Sequence, residues 1–142
     1  MKKTPVILIV EDNPKNRRLV NDILESQGYD TIQASNGREG INLARRQKPE
    51  LIVMDMQMPE IDGLQATRIL KSDRATSHIP IIALTAMAMK GDREKILGGG
   101  CDDYLQKPVR FDTLTVSVQK WLGKQGDGSL ASRPAAKKES GP

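Results

Sequence analysis

The stretch that decides the fold is LIVMDMQMPEIDG, residues 51–63, in which an apolar run ends at the carboxylate of Asp55. An unbroken apolar run of strand length is typical of a strand that is covered on both faces, as in a parallel sheet. Burying a carboxylate costs free energy unless it is paired with a charge or bound to a cation. Asp55 is therefore either an ordinary turn residue at a strand end or the partner of a positive charge.

Similar apolar runs recur along the chain and alternate with segments of helical periodicity. The runs predict strands over residues 6–10, 31–34, 51–54, 79–84 and 103–105. The periodic segments predict helices over residues 14–27, 37–47, 63–72, 90–98 and 111–122. This alternation predicts an α/β fold of the (βα)5 type with a doubly wound parallel sheet. In such sheets ligands bind outside the carboxyl ends of the strands.

The length and composition indicate one folded domain and a tail. The chain has 142 residues and a net charge of +4, and we predict a domain over residues 1–123 followed by a disordered tail over residues 124–142. No apolar run is long enough to cross a bilayer, and no secretory signal follows the first methionine. We expect a cytoplasmic protein without a membrane partner. With aromatic residues at only 3%, the basic charge is weak support for a nucleic-acid partner, and we expect none.

Two residue types restrict the kind of metal site. Cys101 is the single cysteine, which excludes an intrachain disulfide, and His78 is the single histidine. Together they argue against a Cys/His metal site. Any metal would be a hard cation bound by oxygen atoms.

Polar residues follow four of the predicted strands. They are Glu11 and Asp12 after the first strand, Asp55 after the third, Thr85 after the fourth and Lys107 after the fifth. Clustered carboxylates repel one another, and Mg²⁺ would relieve this repulsion. Lys107 could pair with Asp55 or with a phosphoryl oxygen, to which Thr85 could also donate a hydrogen bond. An aspartate beside Mg²⁺ and lysine is a competent nucleophile toward phosphorus.

Several short motifs resemble those of the receiver domains of two-component signalling. They are VEDN at 10–13, MDMQMP at 54–59 with Asp62-Gly63, LTA at 84–86 and Lys107-Pro108. They occur in the family's order over about residues 4–123. The run from His78 to Tyr104 resembles stand-alone, single-domain response regulators of the DivK type. The resemblance implies a flavodoxin-like fold with five parallel strands in the order 2-1-3-4-5. A receiver module cut from a hybrid histidine kinase is the alternative.

The resemblance also implies roles for the residues at the strand ends. Asp55 would be the phosphoacceptor, and Thr85 and Lys107 would hold phosphoryl oxygens. No other cofactor than Mg²⁺ is expected, with Mn²⁺ as a substitute ion. The implied metal ligands are Asp12, Asp55, Glu11 acting mainly through a coordinated water, and the backbone carbonyl of Gln57.

Further positions would set the switch and its lifetime. The resemblance implies that Tyr104 turns inward when Thr85 moves toward the phosphoryl group, and that the Lys107–Pro108 bond is cis. Gln57 and Met87 would flank the path of the hydrolytic water. Because neither residue is acidic, we expect slow self-dephosphorylation.

The function implied is a phosphorylation-dependent signalling switch. The phosphoryl group would come from a histidine kinase or phosphotransfer protein. Output would go to a downstream protein through the face of the fourth helix, fifth strand and fifth helix, roughly residues 88–122. The chain would assist its own phosphorylation and dephosphorylation but would not be an enzyme with an independent substrate. It would be a monomer or a weak, phosphorylation-linked dimer.

Three other functions compete with this interpretation. A phosphohydrolase with an aspartate nucleophile would need a second aspartate where this chain has Gln57. A flavodoxin-like cofactor binder would need a phosphate loop rich in Ser, Thr and Gly, whereas Glu-Asp-Asn-Pro follows the first strand. An unphosphorylated adaptor would not need the acidic cluster. Locally, residues 11–13 could simply cap the first helix, and Lys107 could be a solvated loop residue.

Overall fold

The computed structural model describes residues 4–87 and 89–126, in which strands and helices alternate. The strands are β1 (Val6–Val10), β2 (Asp30–Ala34), β3 (Leu51–Asp55), β4 (Ile81–Thr85) and β5 (Asp103–Gln106). The helices are α1 (Pro14–Ser26), α2 (Gly37–Gln47), α3 (Gly63–Lys71), α4 (Lys90–Gly98) and α5 (Phe111–Gly126). Within these two ranges, no helix has both the length and the apolar character that a membrane span requires.

The strand order confirms the predicted fold. The five strands form one parallel sheet in the order β2-β1-β3-β4-β5. The order reverses between β1 and β3, so the crevice at their carboxyl ends is where such sheets bind ligands. Val10 pairs with Met54 across this boundary. The register therefore brings the residue after Val10 alongside Asp55.

One predicted strand begins later than its apolar run suggests. The run over residues 79–84 predicts a strand from its first residue, but β4 begins at Ile81. The amide of Ile79 donates a hydrogen bond to the carbonyl of Thr76, so Ile79 belongs to the preceding turn. Pro80 has no N–H to contribute to a strand ladder.

The last described helix is longer than predicted. The pattern over residues 111–122 predicts an end before Gly123, but α5 continues to Gly126. Trp121 and Leu122 pack against the core, and this packing stabilises the last turns in spite of the glycine. The predicted tail lies outside the described residues from position 127 onward.

The sheet is covered on both faces, which explains the unbroken apolar runs. Alternate residues of β1 and β3, such as Leu8 and Ile52, pack with α2 and α3 in one buried cluster. Their neighbours Ile7 and Val53 pack with α1 and α5 in the other. Since both faces of each central strand are buried, an alternating polar residue would lie in the core.

The first helix is capped by a residue just beyond the acidic pair. The side chain of Asn13 accepts hydrogen bonds from the amides of Lys15 and Asn16, at 2.9 and 3.1 Å. The predicted capping role of residues 11–13 is thus filled by Asn13. The side chains of Glu11 and Asp12 are not used for this cap.

Candidate functional site

Three carboxyl groups meet at the carboxyl edge of the sheet. Glu11 and Asp12 follow β1, and Asp55 is the last residue of β3. Each offers an oxygen atom, and the three atoms lie within 4.8 Å of one another. Glu11 and Asp55 are buried, whereas Asp12 is half-buried. The structure therefore brings together the three acidic residues that the sequence predicts.

The two oxygens of Asp55 have different surroundings. Oδ1 accepts hydrogen bonds from the Nζ of Lys107 at 3.0 Å and from the backbone amide of Gln57 at 3.1 Å. Oδ2 is buried and has no hydrogen-bond partner among residues 4–87 and 89–126. A buried oxygen without a partner is costly. One oxygen is therefore held in place while the other remains available to a cation or a reacting atom.

Lys107 is part of the site and not a solvated loop residue. Its side chain is only 17% exposed, and its Nζ lies 3.0 Å from Asp55 Oδ1 and 3.2 Å from Glu11 Oε1. Burial lowers the pKa of Lys107, but the two carboxylates outweigh this effect and raise the pKa above its ordinary value. Its backbone amide donates to the carbonyl of Thr85 at 2.8 Å. The Lys107–Pro108 peptide bond is cis.

Glu11 is a buried acid whose pKa is raised by its surroundings. The pKa of Glu11 is raised from 4.5 to about 7: burial is the largest cause and the neighbouring Asp55 adds to it, while the amide of Asn13 and the ammonium of Lys107 act in the opposite direction. Its Oε2 accepts a hydrogen bond from that amide at 3.1 Å, while Oε1 makes an ion pair without a hydrogen bond. The ammonium of Lys107 thus contacts two of the three clustered carboxyl groups, and two buried carboxylate oxygens have no hydrogen-bond partner among the described residues. An all-oxygen donor set of this kind fits a hard divalent cation.

The end of β4 contributes a hydroxyl group, and the residue after it contributes a backbone amide. Thr85 is buried at the end of β4, and its Oγ1 accepts a hydrogen bond from the amide of Met87 at 2.9 Å and donates one to its carbonyl at 3.1 Å. The side chain of Gln57 also reaches this segment. Its Nε2 donates to Thr85 Oγ1 at 2.9 Å, and its Oε1 accepts from the amide of Ala86 at 3.0 Å.

The sequence does not predict this second set of contacts. The resemblance to receiver domains implies that the backbone carbonyl of Gln57 binds the metal and that Gln57 flanks the path of the hydrolytic water, but it implies no hydrogen bond from the side chain of Gln57 to Thr85. One feature of the sequence could have indicated this contact. The side-chain amide of Gln57 lies two residues after Asp55, on a loop that the parallel sheet places beside the end of β4.

Tyr104 lies in β5 beside Ala83 of β4, half-buried against the cluster that contains α2 and α3. The guanidinium of Arg93 in α4 donates a hydrogen bond to its hydroxyl at 3.4 Å and lies 5.9 Å from the ring centroid. The aromatic ring therefore connects the core to α4. Met87, in the segment between β4 and α4, is exposed.

The sequence matches the model of a known protein family. Residues 7–119 match the model of the response regulator receiver domain. The chain belongs to this family. It is a receiver domain of a two-component response regulator, and members of the family act as signalling switches.

The relatives include single-domain regulators and receiver domains of kinases. The chain is 47% identical to the polar-differentiation response regulator DivK of Brucella anthropi over 117 residues, covering 82% of this chain and 95% of the relative. Among solved structures, it is similar to the receiver domain of the sensor histidine kinase PA1611 of Pseudomonas aeruginosa, which has a magnesium ion coordinated in its active-site cleft. That match has 39% identity and a TM-score of 0.80, and it covers 86% of this chain and 100% of the other.

A second solved structure has the same TM-score. It is the signal receiver domain of a signal transduction histidine kinase from Syntrophus aciditrophicus, with 35% identity and a TM-score of 0.80. The match covers 94% of this chain and 100% of the other.

Proposed function

We propose that the chain is a Mg²⁺-dependent phosphorylation switch in which Asp55 is the phosphoacceptor. The observation that carries this proposal is the state of the Asp55 carboxylate: Oδ1 is held by Lys107, and Oδ2 is buried beside two more carboxyl groups with no hydrogen-bond partner in the described part of the chain. Such an oxygen can act as a nucleophile toward phosphorus once the surrounding negative charge is neutralised.

The metal would be held by oxygen atoms of this acidic cluster. Asp12 and Asp55 would be direct ligands, Glu11 would act mainly through a coordinated water, and the backbone carbonyl of Gln57 would complete the protein ligands. Bound Mg²⁺, or Mn²⁺ in its place, would neutralise charge on the carboxylates and on the incoming phosphoryl oxygens. The magnesium ion in the similar receiver domain of the kinase PA1611 supports this proposal.

The phosphoryl group would come from the phosphohistidine of a histidine kinase or phosphotransfer protein. An Asp55 oxygen forms a bond to phosphorus as the bond between phosphorus and the imidazole nitrogen breaks, and the imidazole leaves with the electron pair. Lys107 stabilises the charge on the transferred group, and Thr85 and the amide of Ala86 donate hydrogen bonds to its oxygens. These contributions are positioning and electrostatics, which phosphoryl transfer chiefly requires.

The chain would not turn over a separate substrate. A phosphohydrolase with an aspartate nucleophile needs a general acid two residues later, and Gln57 cannot supply a proton. The chain would assist only its own phosphorylation and dephosphorylation.

Output would pass through the face formed by α4, β5 and α5. The Tyr104–Arg93 contact links this face to the core, and Phe111 and Val116 expose apolar surface on α5. Phosphorylation would shift the population between two arrangements of Thr85 and Tyr104. A downstream protein would bind one of them, and the chain would remain a monomer or form a weak dimer on phosphorylation.

A second candidate is a receiver module within a hybrid histidine kinase. The two similar receiver domains of histidine kinases favour it, whereas the match to 95% of a DivK regulator favours a stand-alone protein. The mass of the intact protein isolated from its own cells distinguishes the two.

Labelling with acetyl phosphate tests the proposed phosphoacceptor. Wild-type protein with Mg²⁺ should gain the mass of one phosphoryl group in a base-labile form, and Asp55→Ala should gain none. Omitting Mg²⁺ in the presence of a chelator should suppress the gain in the wild type. The isosteric Asp55→Asn serves as a second variant that retains the side-chain volume. Equal labelling of wild type and both variants would exclude Asp55 as the acceptor.

A substitution at Met87 tests the expected slow self-dephosphorylation. Met87 is 54% exposed beside Thr85, and Met87→Glu would place an acceptor where it can orient a hydrolytic water. We expect the phosphoprotein to decay about tenfold faster, measured as loss of the phosphorylated mass after removal of acetyl phosphate. Met89→Glu, at a more exposed position in the same segment, should leave the decay unchanged. Unchanged decay in Met87→Glu would contradict the assigned role.

A further inference from the structure

We propose that the side-chain amide of Gln57 occupies the place of the phosphoryl oxygens in the unphosphorylated protein and must leave for phosphorylation to proceed. Gln57 is then a positioning residue that holds the segment after β4 in its inactive arrangement. This inference rests on the proposed function and concerns the regulation of the same site.

The amide joins the ends of two neighbouring strands. Its Nε2 donates to Thr85 Oγ1 at 2.9 Å, and its Oε1 accepts from the amide of Ala86 at 3.0 Å. Asp55 and Leu84 are paired in the sheet, so the residues after them face each other. Gln57 is anchored beside Asp55, because its own amide donates to Asp55 Oδ1. The backbone of Gln57 is therefore fixed beside the phosphoacceptor, and its carboxamide contacts the two groups that would donate hydrogen bonds to a phosphoryl group.

The hydroxyl of Thr85 has no hydrogen-bonding capacity left. A hydroxyl has one donor and two acceptor sites. Thr85 Oγ1 donates to the carbonyl of Met87, and it accepts from the amide of Met87 and from Gln57. To donate to a phosphoryl oxygen, the hydroxyl must give up the Met87 carbonyl. The amide of Ala86 must likewise give up Gln57 Oε1.

Displacement of the amide follows from this geometry. A phosphoryl group on Asp55 and the Gln57 carboxamide would compete for the Ala86 amide, and breaking the contact with Thr85 would free that residue to move. The contacts are partly solvated, because Gln57 is exposed. Two such hydrogen bonds contribute little net free energy, so we expect the competition to weaken the binding of a phosphoryl group by about fivefold.

A phosphoryl analogue measures this competition at equilibrium. Beryllofluoride is titrated into wild type and Gln57→Met with excess Mg²⁺, and binding is followed by the NMR signals of the Ala86 and Met87 amides. Methionine has nearly the length of glutamine but cannot donate to Thr85. We expect Gln57→Met to bind beryllofluoride about fivefold more tightly. Its Ala86 signal in the free protein should also move away from the wild-type position.

The control is the same substitution at Gln47, an exposed residue at the end of α2, which should leave the affinity unchanged. Equal or weaker binding by Gln57→Met, with normal Asp55-dependent binding in the wild type, would overturn the inference and leave the proposed function intact. Binding by wild type that depends on neither Mg²⁺ nor Asp55 would overturn both.

Discussion

Replacing Lys107 by methionine should slow the phosphorylation of Asp55 by acetyl phosphate by about a hundredfold. The Nζ of Lys107 lies 3.0 Å from Asp55 Oδ1 and 3.2 Å from Glu11 Oε1. The substitution keeps the length of the side chain but removes the charge that would stabilise the transferred phosphoryl group. The rate is read as the gain of phosphorylated mass with time at fixed acetyl phosphate and saturating Mg²⁺.

Two further variants separate the charge of Lys107 from its exact position. Lys107→Arg keeps the charge but cannot place a compact ammonium between two buried carboxylates, so it should recover only part of the rate. Lys15→Met removes an exposed lysine of α1 and should leave the rate unchanged. If the phosphorylation rate of Lys107→Met lies within about twofold of the wild-type rate, the charge of Lys107 does not stabilise phosphoryl transfer.

The fold and the acidic cluster are predictable because both follow from the parallel sheet. An unbroken apolar run such as residues 51–54 indicates a strand with two covered faces, and parallel strands present their carboxyl ends at one edge. Glu11 and Asp55 are distant in the chain, but the pairing of Val10 with Met54 places them side by side. The strand pattern predicts that both residues lie at one edge of the sheet, and the strand order implied by the resemblance to receiver domains predicts that they are neighbours.

Contacts of long side chains could not be predicted in the same way. Gln57 and Arg93 are exposed residues with long side chains. The partner of each depends on its side-chain rotamer and on residues far away in the sequence. The same holds for Asp103, whose Oδ2 accepts hydrogen bonds from Ser117 and Trp121 in α5. The raised pKa of Glu11 likewise depends on burial, which the sequence pattern does not quantify.

A single added methyl group at Gly63 should destabilise the protein by about 3 kcal/mol. Gly63 is the first residue of α3, and a Cβ there would overlap the backbone carbonyl of Asp55 and lie 2.7 Å from the Cα of Met56. Because these are backbone atoms, no change of rotamer can relieve the overlap. The end of β3 must therefore move, which displaces Asp55. We expect a lower free energy of unfolding in urea, together with slower phosphorylation by acetyl phosphate.

The matched control for Gly63→Ala is Gly91→Ala in α4, where an added Cβ meets no atom of the described residues within 4 Å outside its own helix backbone and chain neighbours. In that helix alanine is favoured over glycine, so Gly91→Ala should raise the free energy of unfolding by about 0.5–1 kcal/mol. The two substitutions are chemically identical, and their opposite signs would isolate the contact between α3 and the end of β3. If the two variants had the same free energy of unfolding, the end of β3 and the start of α3 could move apart without loss of stability. The close packing around Asp55 would then not be what positions its carboxylate.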